Sequence, residues 1–321
     1  MVFGALSALP YGFTAPWVQD LFLFTLMYAA LASAWNIVGG YSGYISLGHA
    51  AFFGVGAYAI AIIFEHVSIG SGYRPFYVLP LVGIGVGLGS IPVAWVAYRT
   101  RAATFAIVTI TLLFVAQQLA YNLHSLTGGS QGATIRTPNF NVADYNVPFY
   151  FAMLGILALS MLASWYVQGS KLGLTLLAIR DDEDRARGLG VRTTFAKLTS
   201  FAVSAGLVAM AGGVWAYYIA FIYPQFAVDP LVTIGMVLMV YLGGRGTLWG
   251  PILGAFILVP AQKYLAYRLG ASDLYLVGYS CVFLVVILLL PRGILPSLSD
   301  RARRLRVRRQ PRERIEEVVA S

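Results

Sequence analysis

The feature that most constrains this sequence is a long stretch without charge, since residues 21–64 hold no Asp, Glu, Lys or Arg. A helix needs about 20 apolar residues to cross roughly 30 Å of hydrocarbon, so the stretch is long enough for two crossings. A water-facing surface needs about a quarter of charged residues, whereas only 11% of this chain is charged. The pattern predicts an integral membrane protein and excludes most soluble enzymes and regulators.

Similar apolar stretches recur along the 321 residues. Backbone groups in lipid must be hydrogen-bonded within the chain, and a helix achieves this within each stretch. We predict an all-α fold with about nine transmembrane helices, eight to ten being consistent with the pattern. The second stretch is interrupted by glycines, and the seventh is too short to cross alone. The predicted spans are residues 20–39, 45–64, 76–97, 103–122, 148–167, 198–222, 231–243, 247–265 and 274–291.

The net charge of +9 indicates topology, because with nine spans 18 of the 22 basic residues fall on one side. The more basic side is normally cytoplasmic. We therefore expect an N-terminal segment, 1–19, that starts outside, a transmembrane domain, 20–292, and a basic cytoplasmic tail, 293–321. The loop 168–197 is then cytoplasmic and the loop 123–147 external. Nucleic-acid binding is the weaker explanation of the net charge. The basic tail also suits contact with anionic lipid headgroups at the cytoplasmic surface.

Two glycine-rich segments form a faint internal repeat. Residues 39–43 read GGYSG and residues 243–246 read GGRG, and each is followed by further glycines and a phenylalanine. Paired glycine-broken segments mark discontinuous helices beside the substrate in many transporters. Alternatively, Gly250 and Gly254 have the four-residue spacing that lets helices approach closely in lipid. The sequence leaves both interpretations open.

The sequence lacks the common signatures of catalytic chemistry. No Gly-Lys dipeptide occurs, so the chain has no phosphate-binding loop of the Walker type and cannot hydrolyse ATP by that device. His49, His66 and His124 stand apart without the spacing of a metal site, and Cys281 is the single cysteine. We therefore expect no catalytic residue, metal or cofactor on this chain, and no enzymatic activity of its own.

A few polar residues within the apolar spans are candidates for a translocation path. A histidine within a bilayer is costly, so His49 is a functional candidate by default. Its alternative role is an imidazole hydrogen-bonded to a neighbouring helix or backbone carbonyl. Hydroxyl and amide side chains within spans can likewise serve as hydrogen bonds between helices. The six candidates are Asn36, Ser46, His49, Phe52, Thr109 and Gln118.

The charged loop after the fifth span predicts a solvated helix. Asp181 with Arg185 and Glu183 with Arg187 are acidic and basic residues at i,i+4, which stabilise a helix by a few tenths of a kcal/mol each. Gly190 is placed to end the helix with a left-handed residue. The apolar side chains between these charges suit a groove on a partner protein. These apolar residues are Ala178, Ile179, Ala186 and Leu189. A simple charged connector is the alternative.

Two motifs give the chain a resemblance to a known family. Residues 35–58 read WNIVGGYSGYISLGHAAFFGVGAY, and residues 178–201 contain Ala-Ile-Arg-Asp-Asp-Glu followed by Leu-Gly, Lys-Leu and Phe. Together with the spans between them they cover most of the chain from about residue 33 to residue 292. The sequence resembles the permease subunits of bacterial ABC importers for branched-chain amino acids, of the LivM type. Arg187 stands where that family more often has an acidic or small residue.

The resemblance implies a function and a set of partners. It implies a multi-pass protein of the bacterial inner membrane that forms half of a path for branched-chain or other hydrophobic amino acids. Its partners would be ATP-binding cassette subunits, a homologous sister permease and a periplasmic substrate-binding protein. A stand-alone secondary transporter or channel, or an ABC permease for urea or short amides, remains the alternative. The residues that would couple the chain to ATP hydrolysis are Ala178, Arg180, Asp181, Asp182, Glu183, Arg185, Ala186, Leu189 and Gly190.

Overall fold

The computed structural model is all-α apart from one pair of very short strands in the part of the chain that it describes. Seven helical stretches there are long and apolar enough to cross a membrane. They confirm the predicted fold class, an all-α integral membrane protein. The structure describes residues 15–67, 70–141, 145–269 and 293–297, together with positions 4, 6, 10, 277, 281 and 284.

Six of the seven stretches are single helices, and the seventh is a broken one. The single helices are α1 (Pro16–Gly39), α2 (His49–His66), α3 (Arg74–Ala97), α4 (Ala102–Asn122), α6 (Asn146–Gly169) and α8 (Thr193–Ile219). The broken one consists of α9 (Pro224–Ala227) and α10 (Pro230–Gly243). The other elements are α5 (His124–Thr127), β1 (Ala133–Thr134), α7 (Lys171–Gly188), β2 (Phe221–Ile222) and α11 (Gly250–Leu269).

Two predicted spans stand outside these seven. The stretch 247–265 corresponds to α11, a 20-residue helix that carries Lys263 and Arg268 near its end. The stretch 274–291 lies outside the described residues apart from three single positions. Most of the predicted N-terminal segment and the whole tail beyond Ser297 also lie outside the described residues.

The second predicted span is helical over a shorter range than expected. The helix begins at His49 and not at residue 45, because residues 40–48 form an irregular connection. Gly43 has a φ of +80°, a left-handed conformation that favours glycine and prevents α1 from continuing. We call this connection segment 40–48.

The break between α9 and α10 explains the short seventh span. Pro230 starts α10, and the Asp229 carboxylate caps it by accepting the amide of Leu231 at 2.8 Å. The carbonyl of Val228 accepts a hydrogen bond from the Gln117 side chain at 3.1 Å, so a backbone group freed by the break has a partner on α4.

The helices α2 and α8 approach each other closely through small residues, and so do α10 and α11. A Cβ atom added at Gly56 would lie 2.0 Å from the carbonyl oxygen of Ala209, and one at Gly212 would lie 2.0 Å from that of Phe53. A Cβ at Gly254 would lie 1.9 Å from the Met239 carbonyl oxygen, which agrees with the close-approach interpretation of that glycine.

The helix ends gather on two opposite faces. On one face, Arg99, Arg101, Arg180 and Arg245 line a common cleft, so basic residues predicted to share one side do lie together. On the other face β1 pairs antiparallel with β2, Ala133 opposite Ile222. The loop 123–141 is thereby joined to the end of α8.

Candidate functional site

The helix α7 on the basic face is broken at Asp182. This residue has φ −162° and ψ 107°, which are not helical, and it divides α7 into two segments. Its carboxylate accepts the backbone amide of Arg185 at 3.0 Å and so caps the second segment. The predicted helix is therefore present but interrupted at Asp182. Arg185 pairs with Asp182 at 2.9 Å instead of the predicted Asp181, because the break removes the i,i+4 spacing.

The second segment of α7 follows the sequence prediction. Arg187 and Glu183 form the expected i,i+4 ion pair at 3.0 Å. Gly190 has a φ of +81°, the predicted left-handed conformation after the last helical turn.

Glu183 connects α7 to the rest of the chain. Its Oε1 lies 2.7 Å from Nζ of Lys197 on α8, and its Oε2 accepts a hydrogen bond from the Tyr44 hydroxyl in segment 40–48. Burial raises the pKa of the Glu183 carboxyl. The hydrogen bonds from Lys197 and Tyr44 and the charges of Lys197 and Arg187 outweigh burial, and the pKa lies below its ordinary value. Glu183 is therefore ionised at neutral pH.

Lys197 is enclosed by aromatic rings as well as by its ion pair. Only 2% of the side chain is exposed, and its ammonium lies 4.8 Å from the ring centre of Tyr44 and 4.9 Å from that of Tyr98. Such cation–π contacts stabilise a desolvated ammonium. Tyr44 and Lys197 belong to the two motifs quoted above, but the sequence pattern predicts no individual role for either of them or for Tyr98. A lysine four residues into an apolar helix was the signal available for Lys197.

Arg180 forms a second connection between α7 and segment 40–48. Its Nη1 donates to the carbonyl of Gly40 at 3.0 Å. Arg180 and Glu183 lie on either side of the break at Asp182, so each part of α7 contacts the same segment.

The remaining predicted coupling residues divide between surface and interior. Asp181 is exposed, Arg185 and Leu189 are 86% and 85% exposed, and Ala178 is half-buried. Ile179 and Ala186 are buried against the chain itself. The prediction that they form part of an apolar surface for a partner is therefore wrong. The exposed apolar side chains of this region are Leu174, Leu177 and Leu189.

The far end of segment 40–48 leads into a buried polar cluster around His49. The imidazole is fully buried, its Nδ1 lying 2.8 Å from the Ser46 hydroxyl and its Nε2 2.9 Å from that of Ser204. Ser204 donates onward to the carbonyl of Ala34 at 2.7 Å. Both ring nitrogens thus have partners on neighbouring elements, which agrees with the alternative role considered for His49.

Two more of the six path candidates join this cluster. The Thr109 hydroxyl accepts a hydrogen bond from the backbone amide of Leu47 at 3.0 Å. The ring centre of Phe52 lies 6.1 Å from that of His49. Asn36 lies elsewhere, between the glycine-rich segments: its amide donates to the carbonyl of Thr247 at 3.0 Å and its oxygen accepts from Gly246 N at 3.0 Å.

Gln118 is the sixth candidate, and it is exposed on α4 apart from the cluster. The structure therefore groups Ser46, His49, Phe52 and Thr109 and separates Asn36 and Gln118 from them. The role of these residues in a translocation path stays a prediction.

A cleft of about 440 Å³ lies between α7, segment 40–48 and the α3–α4 connection. Acidic and basic side chains line it together, and in the described chain no group of three or more His, Cys, Asp and Glu could hold a metal ion. Seven helical stretches able to cross a membrane, with a charged helix on one face and a buried polar cluster inside, define the class of multi-spanning membrane proteins.

Comparison with known proteins identifies the family. The family described as "Branched-chain amino acid transport system / permease component" matches residues 18–291. The chain belongs to this family, and it is a permease component of an ABC-type transport system of the bacterial inner membrane. This membership decides against a stand-alone transporter.

Individual relatives agree with the family. The chain is 27% identical to the high-affinity branched-chain amino acid transport system permease protein LivM of Salmonella typhimurium, over 86% of this chain and 69% of that protein. It is 26% identical to the LivM protein of Escherichia coli over the same shares. A shorter match, 35% identical, covers 34% of this chain and 33% of the autoinducer 2 import system permease protein LsrC of Salmonella paratyphi B. No solved structure matches the chain.

Proposed function

We propose that the chain carries branched-chain or other hydrophobic amino acids through a path shared with a sister permease, driven by separate ATP-binding subunits. The permease names of the two LivM relatives support this substrate class. A periplasmic binding protein would deliver the substrate at the face that bears the loop 123–141. The basic face would be cytoplasmic.

The double attachment of α7 to segment 40–48 carries the proposal. Arg180 donates a hydrogen bond to Gly40 and Glu183 accepts one from Tyr44, and Ser46 in the same segment belongs to the buried His49 cluster. A displacement of α7 by an ATP-binding subunit would move this segment, because both contacts are short and partly buried. The surface that would meet that subunit is formed by the exposed side chains of Leu174, Leu177 and Leu189 and the charges between them.

The experiment is reconstitution of the chain with its ATP-binding subunits, sister permease and binding protein in liposomes. Wild type should take up labelled leucine, isoleucine and valine only with ATP inside. Arg180→Met should retain ATP hydrolysis but lose at least about tenfold in uptake per ATP, because the contact with Gly40 is lost. A tenfold loss corresponds to about 1.4 kcal/mol of coupling.

Arg192→Met is the matched control, because it makes the same change at an exposed arginine just beyond the end of α7, outside the surface proposed to meet the ATP-binding subunit. It should behave like wild type. Unchanged uptake per ATP in Arg180→Met would contradict coupling through segment 40–48. Uptake of urea or short amides in place of the three amino acids would contradict the substrate class.

A further inference from the structure

A second cleft, of about 270 Å³, lies between α1, α11 and the broken helix. Its deep part is apolar, formed by the buried side chains of Met27, Phe53 and Val259. Drug-sized ligands occupy pockets of roughly 300–1,000 Å³, so this cleft suits a smaller molecule with a compact apolar group.

At one edge of the cleft a basic side chain that lines it is paired with a carboxylate just outside the lining. Lys263 lines the cleft, and its ammonium lies 3.0 Å from Asp20 Oδ2 and 4.3 Å from the ring centre of Phe24. Tyr218 donates to the other oxygen of Asp20 at 3.1 Å and holds the carboxylate in place. The side chains of Lys263 and Asp20 are 45% and 33% exposed, so an incoming molecule can reach both.

The cleft also adjoins the break between α9 and α10. Phe226 and Val232, which flank this break, contribute to its wall. Broken helices in transporters are the usual place of substrate sites, since they bring backbone polar groups into the interior. The end of α1 that carries Asp20 is opposite the end that meets the basic face, so the cleft lies toward the loop 123–141.

We propose that this cleft is a binding site for a zwitterionic α-amino acid with an apolar side chain. The ammonium group of the ligand would pair with Asp20, its carboxylate with Lys263, and its side chain would contact Met27, Phe53 and Val259. The choice of ligand rests on the proposed function. A lipid acyl chain would fill the apolar part but has no charged group to pair with Asp20 or Lys263.

A direct binding test does not depend on transport. A leucine analogue that carries a photoreactive diazirine is irradiated with the full complex in membranes, and the labelled peptides are mapped by mass spectrometry. Label should concentrate in residues 24–28 and 259–266 and should be displaced by unlabelled leucine. Absence of label there, or label that leucine does not displace, would overturn the site. Label displaced by phospholipid but not by leucine would identify a lipid site instead.

Variants test the two halves of the site in the uptake assay. Ala266→Phe fills the cleft and should raise the KM for leucine at least about tenfold, in the range of a steric change in an apolar pocket. Ile257→Phe is the matched control, since Ile257 is on the same helix, 43% exposed and outside the cleft. Lys263→Met should raise the KM for leucine by about fivefold, because it removes a partly exposed ion pair with the ligand carboxylate. Lys263→Arg keeps the positive charge and should return the KM to the wild-type value.

The outcomes separate this site from the proposed function. If Ala266→Phe and Lys263→Met both take up leucine at the wild-type rate and with the wild-type KM, the binding site is contradicted and the proposed function is unaffected. Competed labelling at the cleft without any uptake of hydrophobic amino acids would support the site and contradict the function.

Discussion

Lys197 is a charged residue that is almost fully buried, and this placement has an energetic consequence. Burying an ammonium costs several kcal/mol unless a partner compensates it, and removing one partner of a buried pair costs more than the pair contributes. Here Glu183 and two aromatic rings compensate the charge. The pair is therefore sensitive to substitution of either member.

We expect Lys197→Met to lower the free energy of unfolding by about 2–3 kcal/mol at pH 7, because the partly buried Glu183 loses its closest cation. Thermal unfolding in detergent measures this. Lys171→Met, at an exposed lysine, is the control and should unfold like wild type.

The same variant has a defined pH dependence. The pKa of Glu183 in the folded wild type lies below its unfolded value, which is about 4.3. Its contribution to stability is complete above that unfolded value and is lost as the pH falls through the folded one. The difference between wild type and Lys197→Met should therefore narrow in acid. A difference that stays constant from pH 7 to below 4 would contradict the role of Glu183 as the partner.

At the scale of elements, α8 depends on glycine where it crosses α2. The added Cβ at Gly212 would lie 2.0 Å from a backbone oxygen, a distance that forces the helices apart. By contrast, a Cβ at Gly155 on α6 would meet nothing within 4 Å.

We expect Gly212→Ala to destabilise the protein by about 1–3 kcal/mol, as overpacking does. Gly155→Ala is the matched control and should be neutral or stabilising by up to about 1 kcal/mol, since alanine favours the helix. Thermal unfolding of both variants in detergent provides the comparison. Equal stability of Gly212→Ala and wild type would show that α2 and α8 do not pack as closely as described.

Sequence patterns predict the helices well because their apolar composition fixes them, yet they fail at breaks that depend on individual residues. Asp182 favours capping over helix continuation, so α7 breaks inside a run of charges that reads as one helix. Segment 40–48 replaces the start of a predicted span because Gly43 turns the chain.

The candidate site was predictable only in part. Local pairs such as Glu183 with Arg187 follow from helical spacing. Contacts such as Tyr44 with Glu183, 139 residues apart, and His49 with Ser204, 155 residues apart, depend on how helices pack, which periodicity does not encode. The resemblance to a family located α7 and included Arg180 and Glu183 among its coupling residues, but it did not give their contacts with Gly40 and Tyr44.

At the scale of the whole molecule, the grouping of basic residues on one face matters for orientation. Arg99, Arg180 and Arg245 come from three separate connections and line one cleft. The family places the chain in the inner membrane, and the charge rule predicts that this face is cytoplasmic.

Cysteine labelling in intact cells checks this orientation. In a Cys281→Ser background, we expect Ser125→Cys to react with a membrane-impermeant maleimide from outside. Arg192→Cys, at an exposed position on the connection between α7 and α8, should react only after the inner membrane is permeabilised. Labelling of Arg192→Cys in intact cells would reverse the predicted topology.

The helix α8 links the basic face to the paired strands β1 and β2 on the opposite face. At 27 residues it is a rod of about 40 Å, with Lys197 near one end and the strand that holds the loop 123–141 just beyond the other. A tilt of about 5° about the Lys197 end would carry the opposite tip through roughly 3.5 Å over that length. Such a pivot would let a movement at the basic face displace the loop 123–141 directly, without a chain of intermediate side-chain movements.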